Sequence, residues 1–197
     1  MSTVTLQHET DTEWRQPAKG TVAMITLIIA ESAIFTIFVV AYLYYIGRDV
    51  HGPTPKQVLE IPWANSVCLL SSSLFIMLAE HAIAHGKMAA FKLWWAVTFL
   101  LGLIFLVGTG VEWKKLIFED HLTISTNLFG TTYYSLVGLH AFHVIVGLLL
   151  MLVVLVLALL GFVEKKHAER VKTLALYWHF VDVVWIVVFT VVYVVGR

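Results

Sequence analysis

The chain has 197 residues, no formal net charge at pH 7, 59% hydrophobic and only 13% charged side chains, with a mean hydropathy of +0.85. These values exclude an ordinary soluble globular domain and mark an integral membrane protein, while the balanced charge gives no pointer to nucleic acid or to a cationic substrate. Cys68 is the single cysteine, which excludes an internal disulfide, a cysteine-built zinc site and a thiolate-held iron–sulfur cluster.

Residues 1–20 are polar and mixed in charge, with Pro17 and Gly20 ahead of the apolar region. They lack the basic start and short apolar centre of a signal peptide, so they read as an N-terminal tail, with the first apolar span retained and a membrane domain over 21–197. Five apolar stretches follow, at 21–45, 64–85, 94–116, 132–160 and 175–195. Each is long enough to cross a hydrocarbon core that needs about twenty helical residues. None alternates strictly as a barrel strand does, which predicts an all-α bundle of five transmembrane helices. Gly47, Gly52, Pro53, Pro55 and Pro62 break the first loop, Gly86 ends the second helix and Gly130 precedes the fourth. Counting Lys and Arg on the span flanks gives eight on the N-terminal side, including Arg15, and five on the other, including Arg197. That excess places the N-terminus inside and the C-terminus outside. Trp63, Trp94, Trp95, Trp113 and Trp178 lie near span ends, where indoles anchor at the interface.

Polar residues within the spans are the candidates for function, because a charge in hydrocarbon needs a partner or water. Glu31 lies about 16 Å into the first span by helical rise, at the depth of His143 in the fourth. In the second span, Asn65 and Ser66 read as a helix cap, Ser71, Ser72 and Ser73 as small packing residues, and Glu80 and His81 lie near the level of His179 and Asp182 in the fifth. Glu112, nearer the outer end of the third span, is closer in level to His140 in the fourth, which makes a second carboxylate–imidazole pairing geometrically possible. Gly108, Gly110, Gly138 and Gly147 read as sites of close helix approach.

A di-metal site inside the bundle would need paired Glu-x-x-His turns, and Glu164 to His167 lies in a charged loop. His81 and His85 lack the Glu after the first His that a zinc protease requires, since Ala82 stands there. The residue-level reading is a buried polar network of Glu31, Glu112, His140, His143, His179 and Asp182, with no catalytic or metal-ligating set. A transported-ion relay through Glu31, His140 and His143, or a free-standing metalloenzyme, are the alternatives from other classes. Arg48, Arg170 and Lys172 flank spans at headgroup level, as lipid-phosphate contacts or as topology-setting charges.

The segment Leu176-Tyr177-Trp178-His179-Phe180-Val181-Asp182-Val183-Val184-Trp185 resembles the closing signature of subunit III of the haem-copper terminal oxidases. Glu31 with Ala41-Tyr42, Asn65 to Ser73 with Ala79 to His85, Gly102 to Trp113, Leu122-Thr123-Ile124-Ser125, and Gly130 to Gly147 resemble successive earlier parts of that family, from Glu31 to the end. The resemblance implies an accessory subunit of an oxygen-reducing, proton-pumping complex in the bacterial cytoplasmic (inner) membrane, without cofactors of its own. Haem and copper would belong to the catalytic subunit I against which it packs, beside subunit II and other respiratory subunits. It further implies bound structural phospholipids, support of proton uptake and turnover stability, and a carbodiimide-reactive carboxyl at Glu31. The longer form has seven helices, of which this chain resembles the last five, and Thr109 stands where many members have Gln. The related five-helix protein of bacterial nitric oxide reductases shares much of this pattern.

Overall fold

A computed structural model describes residues 19–48 and 52–196. The expected tail lies outside the described residues over 1–18, with Arg15 and Pro17, and so does Arg197; Lys19 and Gly20 already belong to the first helix. Among the described residues there are helices and turns and no strand. The long helices are α1 (Lys19–Tyr45), α3 (Trp63–Ala84), α4 (Met88–Phe118), α5 (Leu128–Leu159) and α6 (Ala168–Phe189). A four-residue helix, α2 (Pro55–Val58), interrupts the first loop, a short 3-10 turn (Lys165–His167) precedes α6, and a π turn (Thr190–Val195) follows it. Among the described residues, five helical segments are long and apolar enough to cross a membrane, the last being Lys165–Val195.

The boundaries depart from expectation where polar residues continue a helix beyond the apolar run. α4 starts at Met88 instead of 94, because Lys92 is tolerated at the boundary, and the last segment starts well ahead of 175 through the charged turn Glu169 to Lys172. Helix α5 starts at Leu128, so Gly130 lies inside its first turn. Asn127 is the cap there, its side-chain oxygen accepting from Gly130 N–H at 2.8 Å, while its amide donates to Pro53 O at 3.1 Å and ties the first loop to this corner. Gly86 ends α3 as expected: with φ at +73°, it lets Lys87 N–H reach back to Ala82 O at 2.9 Å.

Helix α3 packs along α4, α6 packs against α1, α3 and α5, and α5 against α1, α4 and α6; α5 and α6 contribute the most buried residues. Helix α1 is peripheral: over 27 residues only Phe35 and Tyr42 are buried. Two hydroxyls in its middle turn back onto their own helix, Ser32 to Ile28 O and Thr36 to Ser32 O at 2.7 Å each, which satisfies them without a partner chain.

Candidate functional site

One group of polar side chains at depth converges on α6. Two tryptophans one heptad apart on this helix donate their indole N–H groups to serines on α3, Trp178 to Ser72 Oγ at 2.8 Å and Trp185 to Ser66 Oγ at 3.1 Å. Between these rungs, Ser73 donates to Asp182 Oδ2, and its hydroxyl oxygen lies 3.1 Å from His179 Nδ1. His179 Nε2 in turn lies 4.0 Å from Glu80 Oε2. The result is a ladder of side-chain hydrogen bonds joining α3 to α6. Without water in the hydrocarbon, each polar group is costly to leave unpaired, and each interhelical hydrogen bond contributes about 0.6 kcal/mol, rising to roughly 2 in favourable cases.

These contacts revise several expectations. Ser66 accepts from an indole and does not cap α3, whose first turn begins at Trp63. Ser72 and Ser73 are bonding partners of α6, more than small residues for close packing. Trp178 and Trp95 are fully buried rather than interfacial, Trp95 donating to Met151 O at 3.0 Å; Trp63 remains exposed at a span end, as an anchor should. His81 makes no contact with the ladder's hydrogen bonds and packs tilted against His85, with ring centroids 4.1 Å apart.

Glu31 and His143 meet as the depth argument predicts. Glu31 Oε2 lies 3.2 Å from His143 Nε2, and His143 Nδ1 lies 2.8 Å from Leu139 O. The imidazole is 7% exposed and the carboxylate 24%, and Phe35 packs against the ring at 5.0 Å. This pair fastens the peripheral α1 to α5.

Glu112 does not pair with His140. Its Oε1 accepts from Tyr193 OH at 2.8 Å and from Tyr133 OH at 3.3 Å, because the π turn after α6 brings Tyr193 to α4. His140 is 1% exposed, stacked on Trp185 at 5.0 Å and edge-on to Phe105 at 5.8 Å, and neither ring nitrogen has a hydrogen-bond partner among the described residues. Tyr193 was invisible to depth matching, which uses a regular 1.5 Å rise and cannot register a widened turn.

Of the small residues, Gly102 and Gly147 face the Trp178 ring and Gly108 faces the Asn65 side chain, whereas Gly110 has open space around it. Among the described residues, no three His, Cys, Asp or Glu side chains converge as a metal site would require. His140 and His143 are engaged separately, one on an indole and the other on a carboxylate. Arg48 lies over the Tyr44 ring at 3.9 Å, Lys172 lines a cavity with Thr21, Glu80 and His179, and Arg170 is exposed.

A family model described as cytochrome c oxidase subunit III matches residues 15–197. Cytochrome c oxidase subunit 3 of Synechocystis is 38% identical over 174 residues, covering 86% of this chain and 73% of the relative. The protein of the same name from Alkalihalophilus pseudofirmus is 34% identical over 168 residues, covering 84% and 82%. Cytochrome bo(3) ubiquinol oxidase subunit 3 of Pseudomonas aeruginosa is 34% identical over 174 residues, covering 86% and 81%. With a five-span helical bundle and a match over nearly its whole length, the chain belongs to the cytochrome c oxidase subunit III family.

Proposed function

We propose that this chain is the cofactor-free accessory subunit of a respiratory haem-copper oxidase in a bacterial inner membrane. It packs on catalytic subunit I, alongside subunit II, and supports proton uptake and turnover stability during oxygen reduction in aerobic electron transport. Haem and copper reside in the catalytic partner. The observation that carries this reading is the uneven use of surface: α6 is held from several sides by hydrogen bonds and packing, while α1 touches α5 and α6 along one side and fully buries only Phe35 and Tyr42. Polar groups at depth are used to join helices, and an apolar helix is left for lipid or for a neighbour. An apolar cavity of about 230 Å³ between α1 and α6, lined by Phe35, Val39, Val183 and Val187 among others, supports the lipid part of the reading. Arg48, Arg170 and Lys172 are the side chains assigned to phospholipid headgroups.

Isolation in mild detergent through a tag on this chain, followed by redox spectra and gas-consumption assays, tests the reading. The expected result is co-purification with a haem-copper partner that reduces oxygen. A partner that reduces nitric oxide without oxidase activity, or proton flux through the chain alone in vesicles, would overturn it.

A further inference from the structure

At the end of the bundle that carries Lys172 and Glu169, a cavity of about 400 Å³ opens between α1, α3 and α6. Thr21, Glu80, Glu169, Lys172 and His179 are among its lining residues, and the side chains of Glu80 and His179 are 25% and 31% exposed. His179 is therefore the point at which the α3–α6 ladder meets the mouth of a cavity lined by charged side chains. Inward from it the contacts run in one direction. His179 Nδ1 faces Ser73 Oγ at 3.1 Å, and the Ser73 hydroxyl donates to Asp182 Oδ2. Asp182 is 3% exposed, and its other oxygen, Oδ1, has no hydrogen-bond partner among the described residues. Ten residues of helix separate Lys172 at the mouth from Asp182, about 15 Å along the axis.

This arrangement differs from a purely structural lock. A lock closes by satisfying both carboxyl oxygens, as buried polar groups ordinarily are satisfied. Here one oxygen is uncommitted, and the other is bound to a hydroxyl that can accept from a titratable ring while donating to the acid. His179 stands three residues before Asp182 on the same helix. Glu80 on α3 faces His179 from the mouth, with Lys172 and Glu169 beside it, whereas α1 brings Thr21 to the same cavity. Glu31 on α1 and His143 on α5 are paired with each other.

We propose that Asp182 is a proton-exchanging carboxyl, connected to the cavity mouth through His179 and Ser73. In the inward step a proton from cavity water binds His179 Nε2. The Nδ1 proton then passes to Ser73 Oγ as the Ser73 hydroxyl proton passes to Asp182 Oδ2. The carboxylate becomes a neutral acid and His179 is left neutral with its proton on Nε2; the reverse sequence returns the proton to the mouth. As a deepening of the proton-uptake role above, the inference rests on that reading for its use, a proton reservoir on the flank of the catalytic partner. The exchange itself belongs to this chain's own residues.

Infrared difference spectra after a pH jump, taken on the intact complex in light and heavy water, test the exchange independently of what the complex reduces. The expected signal is a carboxylic-acid carbonyl band that titrates, shifts on deuteration within the mixing time and is absent in Asp182→Asn. In Ser73→Ala the band persists but deuterates at least about tenfold more slowly, and His179→Gln has the same effect. Should Asp182→Asn fail to assemble, the two slowing variants alone decide the matter. A band that never titrates, a band that survives Asp182→Asn, or unchanged exchange in Ser73→Ala would each overturn the proposal. A complex reducing nitric oxide with intact exchange would overturn the oxidase reading and leave the relay standing.

Discussion

Trp178 is fixed at both ends: its N–H donates to Ser72 at 2.8 Å, and its ring lies so close to Gly102 and Gly147 that a Cβ at either would come within 2.7 or 2.8 Å of ring carbons. One side chain of α6 thus meets α3, α4 and α5 together. The hydrogen bond denies the ring the sideways shift that would relieve a larger neighbour. Gly147→Ala and Gly102→Ala should each destabilise the chain by about 1 to 3 kcal/mol through overpacking. Trp178→Phe should cost about 1 to 2 kcal/mol, since it removes the donor but keeps much of the ring. Unfolding of the detergent-solubilised complex would measure all three, and wild-type stability in Gly147→Ala would contradict the wedge.

The Glu31–His143 contact makes a separate prediction, because it joins the helix with the least buried surface. Glu31→Gln keeps an acceptor of similar shape and should cost about 1 kcal/mol, whereas His143→Ala also removes the ring against Phe35 and should cost about 2 to 4. Limited proteolysis of the 46–62 loop would report loosening of α1. Labelling by a hydrophobic carbodiimide should be lost in Glu31→Gln.

Around Glu112 the two tyrosines should separate by their distances. Tyr193 OH is 2.8 Å from the carboxylate and Tyr133 OH is 3.3 Å away. Tyr193→Phe should therefore destabilise by about 1 to 3 kcal/mol and Tyr133→Phe by less, with a double substitution less than additive because the hydroxyls lie 3.4 Å apart. Equal effects in thermal unfolding would contradict this ranking.

Outside the spans, the Lys166 ammonium lies 2.9 Å from Glu164 and holds that carboxyl below its ordinary range. A depressed folded-state value means that the contribution is present above the ordinary carboxylate range and is lost as pH falls through the lowered one. Lys166→Ala should move the Glu164 titration upward, as carbon-13 NMR of the labelled side chain would show, with little effect on stability because both groups are exposed.

Much of this was legible in the sequence. Five apolar runs of spanning length gave the bundle, and Glu31 and His143 could be matched because both lie on regular helix, where depth is rise times residue count. The Glu112–His140 pairing did not follow, since the partner of Glu112 is set by an irregular turn and His140 faces the Trp185 ring. The α3–α6 ladder was half visible. His179 and Asp182 stood out by their charge, but Ser66, Ser72 and Ser73 resemble any small membrane residues until a donor is seen opposite them. Buried Trp95 and Trp178 resemble interfacial anchors for the same reason: span-end position alone does not reveal which way an indole points.

The π turn after α6 has a consequence for helical phase. Gly196 N–H reaches Val191 O at 2.9 Å, five residues back, so this stretch holds one residue more than an α-helical turn would, and Val191, Val192 and Tyr193 are buried in succession. One added residue shifts the side chains within and beyond the turn by up to about 100°. The segment can therefore present its tryptophans to α3 along most of its length and then present Tyr193 to α4. A single continuous helix keeps two different neighbours in register, and the shift between them is encoded by a local change of winding that leaves no mark in the hydrophobic pattern.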